Sequence, residues 1–132
     1  MEPKRVLVDM SCTLLHHGHV RLLEQASKLG LVIVALTSDR EIYNKKGYTP
    51  ELNFYQRKEI LLAIKYVSEV VESSWLIDRE FIISNNIDIL VHGYDNMNIL
   101  HECDVVLLPR TEGISSSNLR QKCYEIVHSQ LA

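Results

Sequence analysis

His16-His17-Gly18-His19 puts two imidazoles three positions apart, beside a glycine. An apolar β-branched run precedes this segment and a helically spaced one follows it, so it falls at the turn into a helix. The first N–H groups of a helix and the positive end of its dipole favour an anion, and Gly18 removes a side chain where one could approach the backbone. His16 and His19 would then face that anion and donate hydrogen bonds to phosphate oxygens, stabilising charge that develops in phosphoryl-type transfer. Two other readings stay open. Cys12, His16 and His19 are ligand types for a metal, although zinc wants a fourth ligand or a water, and no further protein ligand follows nearby. Surface histidines in an idle loop would give the same pattern.

Two further segments carry compatible chemistry. Between Asp39 and Lys58 runs a long polar excursion in which Lys45, Lys46, Arg57 and Lys58 bracket a Gly47-Tyr48-Thr49-Pro50 turn. Lys45 and Lys46 at its tip would close over a polyphosphate, or form an ordinary solvated loop. Arg110-Thr111-Glu112-Gly113-Ile114-Ser115-Ser116-Ser117 joins an apolar run to the last helical segment. Its arginine can fork onto phosphate, and its serines supply hydroxyls and an N-cap, as they would in any capped helix start.

These segments need a scaffold that brings them to one edge. Val6 to Val8, Leu31 to Leu36, Val67 to Val71, Ile87 to Val91 and Val105 to Leu108 are short Leu-rich or β-branched runs, most of them too continuously apolar for a one-sided sheet. Between them lie helical spacings: Val20, Leu23, Ala26 and Leu29; Leu61, Leu62 and Ile64 in a helix from Glu51 to Ile64; Asp78 to Asn85; and Leu119, Cys123, Ile126 and Val127. Strand and helix in regular succession predict an α/β fold, a single Rossmann-like doubly wound domain over residues 1–132 with a five-stranded parallel sheet. Ligands of such sheets bind beyond the carboxyl ends of the strands, where all three segments fall.

With both motifs considered together, the chain resembles the nucleotidyltransferases of the His-x-Gly-His class, and within them the glycerol-3-phosphate cytidylyltransferase type. His16-His17-Gly18-His19 looks like the first signature, and Arg110-Thr111-Glu112-Gly113-Ile114-Ser115 looks like the second, the Arg-Thr-x-Gly-Ile-Ser segment. The resemblance implies that a phosphorylated acceptor attacks the α-phosphate of CTP, releasing pyrophosphate. It implies His16, His19, Lys46 and Arg110 as the groups serving the reaction. Nucleotide and acceptor would meet Ser11, Cys12, Gly18, Lys45, Arg57, His92, Gly93, Asp95, Thr111, Gly113, Ile114, Ser115 and Ser116. Mg²⁺ would enter on the nucleotide phosphates, with no protein ligand assigned, and the protein would be a homodimer. Three features depart from the pattern. Met10-Ser11-Cys12-Thr13 stands for Gly-Thr-Phe-Asp, Ser68 stands where an Asp is usual, and Gly93-Tyr94-Asp95-Asn96 stands for Gly-Asp-Asp-Trp. Ile114 to Arg120 also resembles the Ile-Ser-Ser-Thr-x-x-Arg segment of adenylyltransferases, so an ATP-dependent relative and a nucleotide-binding protein without turnover are the alternatives.

Composition bounds the remainder. With 132 residues, 46% of them apolar, there is room for one core, and a net charge of -3 does not suit a protein that coats nucleic acid. The longest apolar run, Leu29 to Leu36, is well short of the roughly 18–20 residues that span a bilayer. Charged residues at the start run straight into a strand, and the three cysteines are odd in number, so a cytoplasmic protein with reduced thiols is expected. Cys103 and Cys123 are expected to be small buried apolar residues, Cys12 the thiol to test for reactivity, and Trp75 a packing residue.

Overall fold

The computed structural model describes residues 2–93 and 102–130. Ten elements follow in chain order: β1 (Arg5–Met10), α1 (His17–Ser27), β2 (Leu31–Thr37), α2 (Asp39–Lys46), α3 (Phe54–Leu62), β3 (Val67–Ser73), α4 (Arg79–Ser84), β4 (Ile89–Gly93), β5 (Asp104–Leu108) and α5 (Ser116–Gln130). The five strands form one parallel sheet in the order β3-β2-β1-β4-β5.

Strand periodicity divides the core into two layers. Val6, Val8 and Met10 face one side of the sheet, against Leu23 and Ala26 of α1 and Leu61 of α3. Leu7, Ile33 and Leu90 face the other, against Ile77, Ile82 and Ile87. Successive side chains on a strand point to opposite faces, so a central strand covered on both faces must be apolar throughout. β1 and β2 read that way; the edge strands do not, and Ser68, Glu69 and Glu72 of β3 and Leu107 of β5 are exposed. Chain order runs outward from β1 in both directions, through β2 to β3 and through β4 to β5. The switch point therefore lies between β1 and β4, and the crevice beyond their carboxyl ends is where ligands of such sheets bind.

Two elements differ from the sequence expectation. The polar stretch after β2 is helical: Ser38 caps α2, Ile42 is its one buried residue, and Gly47 ends it in the left-handed conformation at φ 78°. Lys45 and Lys46 thus occupy the last helical turn, where cations suit the negative end of the dipole, rather than a loose tip. In α5 the spacing of Leu119, Cys123, Ile126 and Val127 suggested a packed face, yet residues 121–129 are all exposed, Cys123 among them. Among the described residues, no helix is long and apolar enough to cross a membrane.

Candidate functional site

α1 begins with a capping box made of histidines. His16 is the N-cap, and its Nδ1 accepts from the Gly18 N–H at 3.0 Å. Three residues on, His19 Nδ1 accepts from the His16 N–H at 3.1 Å. Imidazoles here fill the roles that Ser or Thr and Glu or Gln usually take. With Nδ1 accepting in both rings, the hydrogen of each neutral ring is assigned to Nε2, leaving two N–H donors on rings whose centroids are 3.9 Å apart. Gly18 follows from the same arrangement: a Cβ there would lie 2.8 Å from His16 Cε1 and 3.2 Å from the Ile114 side chain. Its hydrogen atom makes room for the capping ring as well as for a ligand.

Both rings are held neutral. Burial, the facing His16 and the Arg110 cation bring the His19 pKa down to about 3, and burial and His17 lower that of His16. His19 is therefore unprotonated in the folded chain between pH 6.5 and about 3, while the unfolded chain takes up a proton there. The unfolded state binds more protons in that window, so this group's contribution to stability is complete above pH 6.5 and declines as pH falls toward 3. The slope approaches about 1.4 kcal/mol per pH unit. Urea titrations between pH 7 and 4.5 are expected to show a shallower decline for His19→Gln, which keeps an N3 acceptor for the cap without a titrating ring. Parallel declines would contradict this.

The facing wall is the start of α5. Ser115 caps it: its Oγ accepts from the Asn118 N–H at 3.0 Å, and Asn118 Oδ1 accepts from the Ser115 N–H at 2.9 Å. Neither α1 nor α5 has an acidic residue in its first turn, so neither dipole is neutralised from within its own helix. Between the two helix starts lies a cleft of about 160 Å³, lined by Ser11, His16, Gly18 and His19 on one side and by Arg110, Thr111, Ile114, Ser115 and Ser116 on the other. Lys46 closes its rim from α2, and Leu22 and Ser117 complete the lining. Two helix starts, two N–H donors and the cations Lys46 and Arg110 give this cleft groups suited to a polyanion.

Other expected residues stand elsewhere. Arg57, read as a phosphate-binding cation, is buried at 1% exposure. Its Nη1 donates to the carbonyls of Ser11 and Thr37 at 2.7 and 3.0 Å, its Nε to that of Leu52 at 3.1 Å, and its Nη2 to Asp39 Oδ1 at 2.6 Å. It fastens the strand ends that carry the cleft instead of facing a ligand. Cys12 is likewise buried, within the core layer of β1, and burial pushes its thiol up to about 12. A thiol held protonated in this way is no reactive thiolate, and its side chain packs in the core and not in the cleft lining that His16 and His19 share. His92 is buried and pairs with Asp9 Oδ1 at 3.1 Å through Nδ1, away from the cleft lining. Lys45 is exposed outside the lining, Gly113 forms the turn before α5 at φ 79°, and Gly93 ends β4. Asp95 lies outside the described residues, with Tyr94 and Asn96.

The departures from the family pattern also acquire positions. Thr13 is buried, and its Oγ1 accepts from Arg120 Nη2 at 3.2 Å. Ser68 is the extra residue where the β2–β3 register shifts, near the start of β3 and so at the opposite end of the sheet from the cleft. Trp75, expected to be packing, supports Lys46, whose Nζ lies 5.6 Å from the ring centroid. Ser116, expected to offer its hydroxyl to phosphate, uses it on the histidine loop, accepting from the Leu14 N–H at 3.2 Å and donating to the Leu14 carbonyl at 2.9 Å.

Known proteins match this chain in sequence and in fold. The cytidylyltransferase-like family model matches residues 13–122. The chain is 39% identical to the glycerol-3-phosphate cytidylyltransferase of Bacillus subtilis, over 90% of this chain and 96% of that one. Identity to the Staphylococcus aureus enzyme of the same name is 36%, over 92% and 96% of the two chains. In fold, it superposes with a TM-score of 0.73 on a lipopolysaccharide core biosynthesis protein from Thermoplasma volcanium, at 21% identity and covering 83% of this chain and 99% of that one.

Proposed function

The chain belongs to the cytidylyltransferase-like family, and from that premise we propose that it transfers CMP from CTP to a small phosphorylated acceptor of the glycerol 3-phosphate kind. The observation that carries this reading is the cleft between two helix N-termini whose first turns hold no acid, with neutral His16 and His19 on one wall and Arg110 on the other. An acceptor phosphate oxygen attacks the α-phosphorus of CTP, the bond to the bridging oxygen breaks, and pyrophosphate leaves with the electron pair. Such a displacement needs alignment and charge stabilisation more than covalent help.

In this scheme the two Nε2–H groups donate to α-phosphate and bridging oxygens as negative charge builds there. Arg110 and the α5 N–H groups receive the β- and γ-phosphates, and Lys46 bridges toward the acceptor. Mg²⁺ is part of the proposal as a charge-neutralising ion carried by the triphosphate. That ion is assigned no protein ligand. A homodimer goes with the same reading, with exposed Tyr55, Ile60 and Leu62 of α3 as an apolar face. So does a cytoplasmic setting.

Pyrophosphate release measured with CTP or ATP, each with glycerol 3-phosphate, phosphoethanolamine or phosphocholine, tests the proposal. CTP is expected to be used with a phosphorylated alcohol and ATP to be used poorly. Preference for ATP, or tight CTP binding without release on any acceptor, would overturn it.

A further inference from the structure

The cleft is lined from segments far apart in sequence, the start of α5 among them, and one α5 side chain outside that lining touches both the loop before α1 and the connection after α2. Arg120 lies one turn beyond Ser116 on α5. Its Nη2 donates to Glu51 Oε1 at 2.6 Å, and its Nε donates to Glu51 Oε2, completing a two-pronged pair. The same Nη2 reaches Thr13 Oγ1 at 3.2 Å, and the guanidinium sits 4.7 Å from the centre of the Tyr48 ring. Thr13 and Tyr48 meet in turn, hydroxyl to hydroxyl, at 3.5 Å.

Thr13 belongs to the loop that leads into His16. Tyr48 and Glu51 belong to the connection between α2 and α3, which starts directly after Lys46. We propose that Arg120 is a positioning residue: it pins residues 47–53 against the histidine loop and so sets where Lys46 stands over the cleft. The geometry is specific to arginine. Two bonds to one carboxylate and a third to a hydroxyl, made while the cation lies over an aromatic ring, call for a planar fork, which lysine lacks. Glu51 also neutralises the guanidinium, and Arg120 is not among the cleft-lining residues, so a direct phosphate contact is not its assignment. The pair itself is partly exposed, at 30% and 43% for the two side chains, which argues for a modest share in global stability.

The coupling to Lys46 rests on the functional reading above, whereas the pinning of residues 47–53 does not. Two measurements on the full chain separate them. Hydrogen exchange in Arg120→Ala is expected to accelerate across residues 47–53 and to leave β1 and β2 protected. Unchanged exchange in that segment overturns the proposal whether or not CTP is a substrate. In turnover assays, Arg120→Ala is expected to raise the KM for CTP about tenfold with kcat held within about threefold, and Arg120→Lys is expected not to restore it. If the arginine acts through Lys46, Lys46→Ala with Arg120→Ala will be no worse than Lys46→Ala alone. Additive effects, or rescue by lysine, would mean that Arg120 acts as a charge in its own right.

Discussion

His19→Ala is expected to lower kcat by about 10² to 10³, the loss typical of removing one preorganised donor from developing negative charge. The size follows from the direction of the lone Nε2–H group, since Nδ1 is occupied by the His16 N–H at 3.1 Å. A neutral donor with a pKa of about 3 cannot act as a proton-transferring acid near neutral pH, so its effect is electrostatic and its removal should fall on kcat more than on KM. Alanine also leaves the His16 N–H without its cap, a loss of roughly 1 kcal/mol in helix stability. His19→Gln separates the two effects, because glutamine at N3 preserves the cap and lacks the ring. Stability near wild type with kcat still reduced supports a donor role. A kcat within threefold of wild type in both variants would contradict it.

Arg57→Ala carries the largest expected effect on stability, a loss of about 3–5 kcal/mol. Asp39 is 41% exposed and can rehydrate, so its lost partner is the lesser part. The carbonyls of Ser11, Thr37 and Leu52 cannot follow, because the side chain that satisfies them is buried and leaves a cavity behind. Domains of this size are commonly stable by only about 5–15 kcal/mol, so the variant should unfold at much lower urea concentration. Arg57→Lys should recover little, since one ammonium cannot bond in four fixed directions. A loss under about 1 kcal/mol for the alanine variant would mean that Arg57 is not the fastener of these strand ends. The contact also bears on the site: Ser11 lines the cleft, and the next residue, Cys12, holds φ at 33°, a conformation costly to a residue with a Cβ.

The sheet was legible because its central strands carry near-continuous apolar runs, Val6 to Val8, Leu31 to Leu36 and Ile89 to Val91. The placing of His16-His17-Gly18-His19 at the start of α1 was legible because an apolar strand run precedes it and helical spacing follows; that the two imidazoles also cap the helix was not. α2 was hidden by composition: Asp39–Lys46 has one buried residue, Ile42, and is defined by its caps instead of an apolar stripe. Arg57 shows a different limit. A cation in a polar stretch looks the same whether it meets solvent or three carbonyls, and Asp39, Ser11 and Thr37 become its neighbours only after β1, β2 and α3 have assembled. Cys12 sits beside the site in sequence but turns into the core, so proximity along the chain misassigned its thiol. Ser68 matched a family position by alignment, yet a register shift at the opposite end of the sheet is where it stands. Arg120 was visible as part of a motif, but its partners Thr13 and Glu51 lie 107 and 69 residues away.

In the proposed reaction the cleft between the starts of α1 and α5 joins CMP to a phosphorylated alcohol. Following CTP, Mg²⁺ and glycerol 3-phosphate by ³¹P NMR in the presence of the full chain tests it most directly. A diphosphate-linked cytidine product and pyrophosphate are expected to appear in equal amounts, and His19→Ala is expected to suppress both. Pyrophosphate without the joined product, or no consumption of CTP with any of the three acceptors, would contradict it.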